Sequence, residues 1–165
     1  MEHARTSPSS LVDELVEAWR INQRVNIRLI EHIGDEGLRC SLSHRGGRNV
    51  VRQFAHLHYV RVFQLSRRAK ALAHGLPLFG THDEPGRAAL AEALDASSER
   101  ITQWIRLAAQ GAPGVRTLRR GLVPTVAYLI SHESHHRGNI LLTLKHCGHA
   151  VDVTTRYGIW DWDHV

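Results

Sequence analysis

Between Leu122 and Cys147 runs a long, largely apolar stretch that ends at Gly148, and its middle reads His132-Glu133-Ser134-His135-His136-Arg137-Gly138-Asn139. The glycine is a helix stop, so the stretch is predicted to be one helix. On that helix His132 and His136 lie about 40° apart around the axis and one turn apart along it, so both imidazoles face one point. Imidazole is the commonest protein ligand for first-row transition metals, and two from one helix leave room for a third ligand and an open position. The same spacing also suits two core or surface histidines with no ligand role, and spacing alone does not separate these readings.

The letters also satisfy H-E-x-x-H, the zinc-protease helix in which the glutamate is the general base. The extended protease pattern would place glycine at Asn139 and histidine at Leu142, and no glutamate follows Glu133 to serve as a later ligand. Only an aspartate, Asp152, Asp161 or Asp163, would complete such a site.

A closer match is a family one. Ala127-Tyr128-Leu129-Ile130-Ser131-His132-Glu133-Ser134-His135-His136-Arg137-Gly138-Asn139-Ile140 resembles the signature of the DinB/YfiT-like superfamily of four-helix-bundle metalloproteins, usually H-E-x-H-H-R-G-Q. Phe54-Ala55-His56-Leu57-His58-Tyr59-Val60-Arg61 resembles the family's second-helix motif, and Tyr157-Gly158-Ile159-Trp160-Asp161-Trp162 the ending of one of its branches. The departure is Asn139, where a shorter amide stands for the usual glutamine.

A chain of 165 residues suits one domain, 1–165, with one sizeable core. Two cysteines, Cys40 and Cys147, and no N-terminal apolar stretch indicate neither a disulfide framework nor secretion, so a reduced, cytoplasmic protein is expected. No run approaches the roughly 18 apolar residues of a membrane span. The net charge is +5 with pI ≈ 9.9, but the 21 basic residues are dispersed and no recognition-helix or aromatic-basic motif accompanies them. A nucleic-acid partner is therefore not expected. Thirteen histidines favour a metal.

Residues 1–9 read as a loose terminus. Helix one is predicted after Ser9-Ser10 and runs to about Ile33 on Leu11, Leu15, Trp19, Leu29, Ile30 and Ile33. Asn22 and Asn26 interrupt its stripe, either lining a polar cavity near the metal or forming a helix boundary or water-bonded pair. Gly34 to Gly47 is a turn-rich connection with room for a short extended piece. Helix two runs from about Asn49 to Ala73 with a main seam of Val51, Phe54, Ala55, Val62, Leu65, Ala69 and Leu72 and a second band of Tyr59, Val60 and Phe63, which reads as burial on two sides. Helix three, with Asp83 as its candidate N-cap, runs to about Gln110 on Leu90, Leu94, Ile101, Trp104, Ile105 and Ala108. It carries no histidine, which leaves helices two and four to supply imidazoles. The connection with Arg116, Arg119 and Arg120 reads as solvent-facing, with anion binding as its alternative.

On helix four the ligand face collects Thr125, Tyr128, Leu129, His132, His136, Asn139, Ile140 and Thr143, while Glu133 and Arg137 point outwards or to a neighbouring helix. His135 is assigned to the surroundings of the site or the surface. The last 17 residues have no helical stripe, but Tyr157, Ile159, Trp160 and Trp162 are too apolar for a free tail and should pack on the bundle or build a subunit contact.

For the third ligand, periodicity and resemblance disagree. His58 falls inside the main seam of helix two, whereas His56 falls about 160° away beside Tyr59. The resemblance selects His56, because the family ligand follows a large-apolar-plus-small pair and precedes another apolar residue, as in Phe54-Ala55-His56-Leu57.

The expectation is an all-α four-helix bundle of the DinB/YfiT-like type with an aromatic C-terminal extension. The resemblance implies one divalent transition metal held by His56, His132 and His136, with zinc or nickel ahead of copper and iron. It implies a metal-dependent hydrolase or a thiol-dependent transferase acting on a small molecule, or from another class a non-catalytic, metal-stabilised, damage- or stress-responsive binding protein. The aromatic ending and the family habit add a homodimer.

Overall fold

The computed structural model describes residues 10–165 apart from residue 44, so the loose terminus expected over residues 1–9 lies outside the described residues. Four long helices, α1 (Leu11–His32), α3 (Val50–Arg68), α5 (Arg87–Ala109) and α6 (Leu122–His146), carry the structure. Three short ones join or follow them: α2 (Asp35–Arg39), α4 (Lys70–Ala73) and α7 (Val153–Gly158). No strand occurs among the described residues; one isolated bridge links Leu118 and Gly121.

The ends follow local chemistry. Ser10 Oγ accepts from the Asp13 amide at 3.2 Å, with Asp13 and Glu14 at the positive end of the α1 dipole. Asn49 Oδ1 accepts from the Arg52 amide at 3.0 Å and opens α3. Gly148, at φ 79, closes α6: its amide donates to Lys145 O at 3.3 Å and that of His149 to Leu144 O at 2.9 Å, the paired bonds of a glycine-terminated helix.

Several sequence expectations are corrected here. Helix two breaks at Ala69 (φ −149, ψ 58) instead of running unbroken to Ala73. The carbonyls freed there are taken by Arg116, whose amide donates to Arg68 O at 2.8 Å and whose Nη2 donates to Arg67 O at 2.9 Å. Arg116 thus caps a helix end. Gly34–Gly47 contains the short helix α2 and, among its described residues, no extended strand. Asp83 does not cap α5, whose N-cap is Gly86; the Asp83 carboxylate accepts from the Gly80 amide at 2.6 Å.

In cross-section α1 and α3 stand on one diagonal and α5 and α6 on the other, so α3 packs beside α5 and α6. The interior is layered. One apolar cluster holds Leu29, Ile30, Val51, Phe54, Leu90, Leu94, Ile140 and Leu144. A second holds Val16, Trp19, Leu65, Ile101, Trp104, Ile105, Val126 and Leu129. Burying side chains of this size is worth about 1.5–3 kcal/mol each.

Between the two clusters in sequence on every long helix lie buried polar residues: Asn22 and Asn26 on α1, His58 and Arg61 on α3, Ser97 on α5, Glu133 and Arg137 on α6. The expected second core band of helix two is not buried. Tyr59 and Phe63 are 49% and 41% exposed, because that side of α3 faces solvent beside α6. At the C-terminus Ile159 packs into the core, while Tyr157 and Trp160 stay exposed.

Candidate metal centre

His56 projects from α3 and His132 and His136 from α6, the two helices meeting along one edge of the bundle. One ligand atom from each of the three lies within 4.8 Å of the others, and among the described residues no other group of histidine, cysteine, aspartate or glutamate could hold a metal ion. Ring centroids are 4.7 Å apart for His132–His136, 4.8 Å for His56–His136 and 5.6 Å for His56–His132. Aromatic rings extend the cluster along both helices. Tyr59 stacks on His56 at 6.2 Å and Tyr128 on His132 at 6.3 Å.

All three rings are half-buried, and burial is the main reason their pKa values fall. His56 drops to about 4, helped by the charges of Arg48 and His132. His136 also drops to about 4, through burial and then the charges of His132, His56, His135 and Arg48. For His132 the burial effect is partly opposed by Glu133. The rings are therefore neutral at neutral pH, and none of them hydrogen-bonds to a described residue. Neutral imidazoles with free lone pairs, converging from two rigid helices, are a donor set that fits a divalent transition metal.

His58, the choice of periodicity, is elsewhere. It is fully buried, with Nδ1 3.1 Å from Ser97 Oγ and Nε2 2.6 Å from Pro77 O, and it pins the α4–α5 connection to the core. Both candidate histidines of α3 thus have an environment, but only His56 meets the α6 pair. His135 is exposed, with its Nε2 3.1 Å from Asn139 Nδ2, the one hydrogen bond of that shortened side-chain amide among the described residues.

Glu133 is not available as a base at the cluster. Arg61 Nε donates to Oε1 at 2.6 Å and Arg61 Nη2 to Oε2 at 2.9 Å, while Asn22 and Asn26 donate to Oε2 at 2.6 and 2.7 Å. Burial pushes this carboxyl up, but the Arg61 charge, the bonds from Arg61 and Asn22 and the Arg137 charge outweigh it and hold the group ionised. Arg137 Nη1 closes the network by donating to Asn22 Oδ1 at 2.7 Å and Asn26 Oδ1 at 3.0 Å. Asn22 and Asn26 therefore neither line a cavity nor mark a boundary; they bridge a buried carboxylate to a buried guanidinium. The aspartates that a protease would need are also engaged or outlying: Asp152 caps α7 through Thr155 and Asp161 pairs with His164.

Sequence reasoning missed Arg61 as a partner of Glu133. Its signal was an arginine three residues after His58 on the buried seam, where a charge requires a counter-charge.

Compared with protein-family models, residues 5–162 match that of the DinB family. No curated protein matches the chain.

Proposed function

The chain belongs to the DinB family, and from that premise we propose that it is a metal-dependent enzyme acting on a small molecule, with His56, His132 and His136 as the ligands of one divalent ion, zinc or nickel first. The observation that carries the reading is that the three imidazoles converge half-buried instead of being sealed in the core, with His56 lining one surface cavity and His136 another. When bound, the metal supplies a Lewis acid with open coordination positions, which serves hydrolysis and thiol transfer alike.

The chain's own residues keep the imidazoles neutral, each with one ring nitrogen free to bind, and offer Tyr59 and Tyr128 as walls for a substrate. Glu133 has a structural part, since its oxygens are all engaged within the bundle. Among the described residues no helix is long and apolar enough to cross a membrane. Free Cys40 and Cys147 support a reducing, cytoplasmic setting, and exposed Tyr157 and Trp160 support a homodimer.

The test is calorimetric titration of chelator-stripped protein with zinc and with nickel, followed by assay of the loaded protein for ester or amide hydrolysis and for thiol transfer. Uptake of about one ion per chain, with one of those activities appearing only on loading, is the expected result. Absence of uptake removes the metal reading, and uptake without either activity removes the enzyme reading.

A further inference from the structure

One cavity of 270 Å³ opens against His56 and is walled by Tyr59 and Phe79; another of 250 Å³ opens against His136 and Asn139. One side chain, Arg48, lines both. Its charge is also felt by both rings, being among the causes that lower His56 and His136.

The other charged groups of the first cavity are already engaged. Arg52 donates to Thr81 O at 2.9 and 3.2 Å, and the Asp83 carboxylate is held by the Gly80 amide. Arg48 makes no hydrogen bond or ion pair to a described residue through its guanidinium. A divalent ion on three neutral imidazoles keeps its full charge, and a guanidinium beside it adds another of the same sign. Asp83 is the one carboxylate lining these two cavities among the described residues, and Arg48 and Arg52 outnumber it before the charge of a metal is added. Such a site attracts an anion, and the planar fork of arginine matches the two oxygens of a carboxylate or phosphate.

We infer that Arg48 receives the anionic end of the substrate, a carboxylate or phosphate group, while Tyr59 and Phe79 cover a small apolar or aromatic body. This rests on the metal reading above. The cavity size, just under the ~300 Å³ where ligand pockets begin, limits that body to about one ring.

The experiment titrates zinc-loaded protein with benzoate and with phenyl phosphate by calorimetry, with zinc content measured in parallel. Arg48→Gln, at an exposed position, should fold and keep its zinc, yet bind at least one of the two anions about tenfold or more weakly, the loss expected for a charge-assisted contact. The anion that loses affinity identifies the source. Arg45→Gln, an exposed arginine of the same loop outside both cavities, should shift binding less than about twofold. Equal anion affinities for wild type and Arg48→Gln at equal zinc content overturn the assignment of Arg48 alone, as does an equal loss in Arg45→Gln. A wild type that takes up no zinc overturns the metal reading and this one with it.

Discussion

Arg61 of α3 and Glu133 of α6 form a forked ion pair across the middle of the bundle, at 2.6 and 2.9 Å, with side chains 0% and 2% exposed. Successive residues on a helix point about 100° apart, so turning Glu133 inward sets His132 at the rim. The pair therefore fixes the rotation of α6 at which its two histidines meet His56.

Glu133→Gln should destabilise the protein by about 3–5 kcal/mol in urea denaturation, because Arg61 and Arg137 would then be buried with no counter-charge. The folded fraction should still bind metal. A change below about 1 kcal/mol, or loss of metal from well-folded protein, contradicts the structural part given to Glu133.

His58→Ala should leave metal content unchanged and cost about 2–4 kcal/mol, since it vacates a buried site and leaves Pro77 O without its imidazole partner, while Ser97 Oγ keeps its bond to Leu94 O. Metal lost with stability retained would mean that the seam histidine is the ligand.

The metal-free protein should lose stability as pH falls from about 6.5 towards 4. His56 and His136 are at about 4 when folded, against an ordinary value near 6.5 in the unfolded chain, so between these values the unfolded chain binds more protons and acid favours it. Urea midpoints of the stripped wild type should therefore drop more steeply over this window than those of a His56→Ala, His136→Ala double variant. Parallel pH profiles would show that these rings are not depressed.

If the exposed Tyr157 and Trp160 build a dimer contact, the wild type sediments as a dimer and Trp160→Ala as a monomer of nearly unchanged stability, whereas Ile159→Ala in the core costs about 2–4 kcal/mol. A wild type that sediments as a monomer removes the dimer.

The helices were legible because their signals are local. Ser10, Asn49 and Gly148 punctuate the sequence where α1, α3 and α6 begin or end, and the apolar stripes lie between. The proximity of His132 and His136 follows from helical spacing alone. The position of His56 does not: a ring shared by two helices at the bundle rim lies outside the apolar seam, so periodicity favoured His58, and only the resemblance pointed to His56. The Glu133–Arg61–Asn22–Asn26–Arg137 layer was illegible for a related reason. Glu133 and Arg137, four apart on one helix, look like a solvent-facing pair, and their burial is decided by Arg61, 72 residues from Glu133 in sequence. The interruption of the α1 stripe at Asn22 and Asn26 was visible, but its partners were not.

The most direct measurement is metal content by elemental analysis after purification without chelators, on wild type and on His56→Ala, His132→Ala, His136→Ala and His58→Ala. About one ion per chain is expected in wild type and in His58→Ala, and less than about a tenth of that in each of the other three, since a three-ligand site loses most of its affinity with any one imidazole. Equal metal in all five folded proteins would contradict the three-histidine centre.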